Sequence, residues 1–211
     1  MAETRTLSQF KSKLAGGGAR PNLFEVSIPA FPSAVDEAWG SGDEGENGMF
    51  KFLCSSTSLP ASNISPIEIA FRGRTLKVAG DRTIDPWSVT IINDEDFKLR
   101  TAFERWVNVI SKLDDSTGVT NPTSYMANAY VKQLGRGSKA LTDENSGGQS
   151  SILRTYKFID IFPTTISNID LNYDSSNDIE RFTVDFQVQS FSIGDSEESN
   201  TSDVNQVSIR W

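Results

Sequence analysis

From Phe182 to Gln189 apolar and polar residues alternate without a break: Phe182, Val184, Phe186 and Val188 against Thr183, Asp185, Gln187 and Gln189. A period of two puts each set on one side of an extended chain, whereas helical faces recur at about 3.6 residues. Such a segment is a strand with one buried and one wet face. The pattern recurs in "NLFEVSI" (Phe24, Val26, Ile28), "MFKFLCS" (Phe50, Phe52, Cys54), "SPIEIAF" (Ile67, Ile69, Phe71) and "WSVTII". "SYMANAYVKQLG", "ILRTYKFIDIF" up to Pro163, and "SNIDLNYD" extend the series, with "SSND" as a hairpin turn before the last strand. That makes about eight or nine strands separated by turn residues, not by regularly spaced helices.

One stretch breaks the period. In "NDEDFKLRTAFERWVNVISKL", Leu99, Phe103, Trp106, Val107, Ile110 and Leu113 fall on a single helical stripe, with Asn93 or Asp94 placed to cap the start. A shorter amphipathic stretch, Leu7, Phe10 and Leu14, precedes "GGGAR" and reads as a helix or arm. The expected fold is mainly β: an antiparallel β-sandwich or barrel-like domain with one flanking α-helix. The chain has 211 residues, of which 37% are hydrophobic. That length can bury roughly 70% of the unfolded surface in one domain.

Composition narrows the chemistry. The chain has no histidine and one cysteine, Cys54. The commonest general base and metal ligand is therefore missing, as is any disulfide framework or multi-cysteine zinc site. A formal net charge of -8 argues against a protein that grips a nucleic-acid duplex, which needs a basic footprint. No segment approaches the ~18 apolar residues of a membrane helix. The first residues lack the apolar core of a signal peptide. Synthesis in a reducing cytoplasm is the simple expectation.

The glycine-rich stretches "AGGGAR" and "GRGSK" lack phosphate-loop spacing, and "DENSGGQSS" lacks the order of a calcium loop. No catalytic residue, metal or cofactor is assigned. The segment "RGRTLKVAGDRTIDPW", residues 72–87, reads as a mixed-charge, glycine-punctuated loop between two strands. Its charged residues are Arg72, Arg74, Lys77, Asp81, Arg82 and Asp85. Asp81 and Asp85 near Arg82 admit a salt-bridged turn or, with a pocket, acid–base work. On the polar sides of "SNIDLNYD" and "FTVDFQVQSF", Asp170, Asp174 and Asp185 stand without lysine. That admits an ordinary solvated face or a wall turned toward something anionic.

Four blocks carry a resemblance: "ARPNLFEV", "LPA", "VAGDRTIDPWSVTIINDEDFKLRTAFERW" and "IFPTTISNIDLNYDSSNDIERFTVDF". In this order they resemble the tail tube proteins of T-even-type contractile-tailed bacteriophages, the block from Val78 to Trp106 most specifically. The resemblance implies a structural virion protein, not an enzyme, forming hexameric rings that stack into the tube inside a contractile sheath. The tube would be a conduit for genome ejection. It implies partners: other copies of the chain, the sheath protein, baseplate and tail terminator proteins, and a tape-measure protein in the lumen. Viral DNA would pass through without sequence-specific binding.

The implied place is the virion tail, after assembly in the host cytoplasm. Arg72, Arg74, Lys77, Asp81, Arg82 and Asp85 would form an inter-ring assembly loop, and Asp170, Asp174 and Asp185 would face the lumen. Residues 1–193 would be one domain with an N-terminal arm and inserted loops near 32–48 and 137–150, and residues 194–211 an acidic extension. A baseplate-to-tube junction protein of the same fold remains the alternative. A β-sandwich ligand-binding module or enzyme is a second one.

Overall fold

The alternating segments assemble into one main sheet and one separate ribbon. The computed structural model describes residues 7–13, 18–32, 35, 46–138, 150–174 and 178–194. In chain order its elements are α1 (Leu7–Lys13), β1 (Phe24–Ser27), α2 (Glu46–Leu53), β2 (Cys54–Thr57), β3 (Ser62–Phe71), β4 (Arg74–Ile84), β5 (Trp87–Ile92), α3 (Lys98–Ile110), β6 (Ala127–Ser138), β7 (Ser150–Ile166) and β8 (Arg181–Gly194). Six strands form a sheet in the order β1-β6-β7-β8-β5-β2, while β3 and β4 pair only with each other. The fold is mainly β with one principal helix, as the sequence leads one to expect.

The chain divides into two compact units. The larger comprises residues 25–131 and 157–192. Its core lies where β5 and β8 meet α3. The antiparallel pairs Trp87↔Phe186, Val89↔Val184 and Ile91↔Phe182 set three apolar couples side by side. Leu99, Ala102, Phe103 and Trp106 of α3 are buried with them. An aromatic chain holds these layers: Trp87 lies 4.9 Å from Phe158 and 5.1 Å from Phe186, and Phe186 lies 5.9 Å from Phe103 and 6.0 Å from Trp106. The buried Trp106 indole N–H donates to the Tyr125 carbonyl at 2.7 Å, so its polar atom is satisfied. The smaller unit comprises residues 1–24, 132–156 and 193–211. There the Gln133 side-chain amide donates to the carbonyls of Arg20 and Leu23, and the Leu134 N–H to that of Leu23. In α1, Leu7 and Phe10 are exposed.

Several elements differ from the sequence reading. Residues 46–53 are helical, not extended. Phe50 packs 5.9 Å from Phe103 while Phe52 is exposed, so the second buried partner of Phe50 is Cys54, four residues on. Helix α3 begins at Lys98 without a side-chain N-cap. Asp94 reaches forward to accept the Lys98 N–H instead, and Phe97 takes a left-handed turn (φ 53°) between them. Leu113 leaves the stripe because α3 has already ended at Ile110.

β7 runs through Pro163. At Asp160 (φ 55°) the backbone N–H goes to the Asn128 side chain, and the buried positions step from Phe158 to Ile161 to Pro163. The odd step marks a β-bulge. β6 starts at Ala127, level with the bulge, so Pro163 lies beyond that ladder and its missing N–H is not needed there.

The expected strand at 167–174 does not form. Asn168 donates to the Asp170 carboxylate, and the Asp174 N–H goes to the Asn172 side chain. Short Asn and Asp side chains offer the backbone a local alternative to a ladder, and Leu171 and Tyr173 are left in solvent.

Candidate assembly interface

Residues 72–87 are not a loop. Arg72 (φ 46°) and Gly73 (φ 80°) form a two-residue hairpin turn with both central φ angles positive, the arrangement whose twist matches paired strands. β4 then runs back along β3 in the register Phe71↔Arg74, Ile69↔Leu76, Glu68↔Lys77 and Ile67↔Val78. Cross-strand partners share a face. Glu68 and Lys77 therefore lie on one side, joined by an ion pair at 3.3 Å. Ile67, Ile69, Phe71, Leu76 and Val78 lie on the other.

That second side is bare. The five side chains are 54%, 49%, 66%, 60% and 43% exposed. A lone two-stranded ribbon is marginal in water, and a contiguous exposed apolar face usually marks an interaction surface. Pairing is irregular between Ile64 and Pro66, opposite Gly80. A Cβ on Gly80 would fall 2.5 Å from the Ser65 carbonyl oxygen, so glycine is required for this close approach.

The charged residues singled out in sequence distribute along the ribbon, and all are exposed. Arg72 sits in the turn with its guanidinium 5.5 Å from the Phe71 ring. Arg74 is the first residue of β4 and Lys77 is tied to Glu68. Asp81 and Arg82 flank the irregular stretch. Asp85 fastens the root: its carboxylate accepts from the Asn63 amide at 2.9 Å, and its N–H donates to the Ala61 carbonyl. The apolar half of this surface is hidden when residues 72–87 are read as a loop, which leaves Leu76 and Val78 without a face. Their alternation after an Arg-Gly turn was the available signal.

The three aspartates do not share a wall. Asp170 and Asp174 lie on the connection between β7 and β8. Only Asp185 is on the sheet, where its carboxylate accepts from the Ser88 hydroxyl on the face opposite the core. Thr90 and Thr183 pair hydroxyls beside it at 3.2 Å. Lys157 of β7 projects from the same face, 5.8 Å from the Tyr130 ring, so the face is hydroxyl-rich and mixed in charge.

Cys54 is buried, and burial pushes its thiol up to about 12, away from nucleophilic chemistry. Among the described residues no cluster of carboxylates and cysteine could hold a metal ion.

The family model for phage tail tube proteins matches residues 19–194. The tail tube protein gp19 of Enterobacteria phage T4 is 32% identical over 170 residues, which is 81% of this chain and 88% of the relative. A chain in the baseplate of the anti-feeding prophage superposes with a TM-score of 0.57 at 14% identity, covering 84% of this chain and 96% of the other. One in the sheath-tube complex of an extracellular contractile injection system gives 0.52 at 15% identity, covering 92% and 100%. These two likenesses show the fold. The class defined by fold and relatives is the structural proteins of contractile phage tails. Within it, the chain belongs to the phage tail tube protein family.

Proposed function

We propose that the chain forms hexameric rings that stack into the tube inside a contractile sheath, and that the β3–β4 ribbon carries the contact between rings. The observation behind this reading is the ribbon's exposed apolar face, which the other described residues leave uncovered. A closed ring is a heterologous association, and stacking repeats one contact along the axis. Arg72, Arg74 and Arg82 add charge to that contact, which favours one register over others. Lys77 and Asp85 serve the ribbon itself.

In this assembly the outward face of β5 and β8 lines the channel with hydroxyls and Asp185. Asp170 and Asp174 ride on the loop that leads into β8. Asp185 repels phosphate on this face beside Lys157, so that DNA and a tape-measure protein meet no uniformly basic wall. Residues 1–193 act as one ring-forming domain. Most of the segments near 32–48 and 137–150 and of the extension 194–211 lie outside the described residues. Baseplate and terminator proteins meet the two ends of the tube, and assembly takes place in the host cytoplasm.

Negative-stain electron microscopy of the purified chain, over a range of concentration and salt, tests the reading. Rings or hollow tubes are expected. Arg72→Glu combined with Arg74→Glu is expected to shorten the tubes while leaving the fold intact. Tubes of normal length from that variant would refute the inter-ring role of the ribbon's tip.

A further inference from the structure

The ribbon's apolar face needs a surface to cover it, and one region of the same chain has the matching chemistry. A groove runs beside the C-terminal half of α3. Val107, Leu113 and Ile166 supply its apolar lining, and Glu104, Arg105 and Asp114 are charged residues along it. Leu113 is 94% exposed, the barest large apolar side chain in the helical region.

The electrostatics at the helix end point the same way. The last turn of α3 holds no basic residue to balance its carbonyls, and Asp114 and Asp115 follow, with Lys112 beside them in sequence and Arg105 also on the groove. The Thr117 hydroxyl and N–H hold the Asp115 carboxyl below its usual range, so it stays charged. Glu104 is occupied by Arg100 at 2.8 Å, which leaves Asp114 as the anionic residue of the groove, with Asp115 next to it in sequence. The ribbon is the complement: five apolar side chains ending at Arg72 and Arg74, neither of which makes an ion pair among the described residues. Within one chain the ribbon face and Leu113 of the groove are both exposed, while Val107 and Ile166 are half-buried, so the ribbon does not cover Leu113 of its own chain.

We propose that the apolar face of the β3–β4 ribbon of one copy docks along the α3 groove of a second copy, with Arg72 and Arg74 set against Asp114 and Asp115. This rests on the assembly reading above and names the receiving surface that reading lacks.

The test uses the full chain carrying Leu76→Cys together with Leu113→Cys, assembled and then oxidised. Cys54 is buried with a raised thiol pKa and does not compete. A covalent ladder on a non-reducing gel is expected from the double variant, and none from either single variant. In parallel, Arg74→Asp is expected to raise the concentration needed for assembly about tenfold, and Asp114→Arg in the same chain to restore it. Normal tubes without a ladder and without charge-swap rescue would overturn the docking and leave the tube reading standing. A wild-type chain that never forms rings or tubes would overturn both.

Discussion

Replacing the apolar pair at the middle of the ribbon separates folding from assembly. Ile69 and Leu76 are direct cross-strand partners, 49% and 60% exposed. The perturbation is Ile69→Lys with Leu76→Glu. The opposite face already carries such a pair, Glu68 and Lys77 at 3.3 Å, so the ribbon geometry accommodates it. Full burial of a Leu or Ile side chain is worth about 1.5–3 kcal/mol. With about half of each side chain still exposed, about 1 kcal/mol per residue remains for a partner to gain. The pair accounts for about 2 kcal/mol per contact, roughly 30-fold in affinity, before the added penalty of burying charge. The monomer loses a similar amount locally, partly offset by a new cross-strand ion pair worth about 0.2–1 kcal/mol. That loss falls on the ribbon, away from the core around Trp87 and Trp106, so global unfolding barely changes. Circular dichroism melts should therefore overlay wild type. Light scattering should show a critical concentration for assembly at least about 30-fold higher. Tubes forming at the wild-type concentration would show that this face is not in the contact.

Other positions make independent predictions. A Cβ on Gly118 would lie 2.0 Å from the Ile110 carbonyl oxygen, at the end of α3. Gly118→Ala should therefore cost about 1–3 kcal/mol in denaturant melts, and an unchanged midpoint would count against the packing described there. Trp106→Phe removes the donor to the Tyr125 carbonyl from a fully buried site and should destabilise the fold by about 1–3 kcal/mol. Folding holds the Cys54 thiol up to about 12 against an ordinary 9.0, so the unfolded chain ionises first as pH rises. Its contribution to stability is complete below about pH 9 and fades toward pH 12. Cys54→Ala should flatten the alkaline loss of stability in that window, and the native thiol should resist a disulfide reagent at pH 8 until the chain is unfolded.

The strand and helix periods carried much of the fold. Alternation in 182–189 and 87–92 and the stripe Leu99, Phe103 and Trp106 became the core pairs of β8, β5 and α3. Alternation failed where a second condition was unmet. "SNIDLNYD" alternates as strictly as β8, yet its Asn and Asp side chains hydrogen-bond locally and no strand covers it. "MFKFLCS" alternates too, yet Phe50 reaches Phe103 from a helix and Phe52 stays in water. The candidate site was half legible. Its charges were visible, but the apolar face emerged only when β4 paired with β3 and aligned Leu76 and Val78 with Ile69 and Ile67.

Periodicity is a local property of the chain, so a mainly β fold with one principal helix was readable from the residues alone, as were the lack of histidine and the acidic balance. Burial is not local. Packing settled which alternating segments found a partner, where Asp160 shifts the register of β7, and which apolar face remained uncovered among the described residues. The bulge at Asp160 meets Asn128 and the core couples join β5 to β8, residues far apart in sequence, and whether the ribbon face is covered depends on every other segment of the chain.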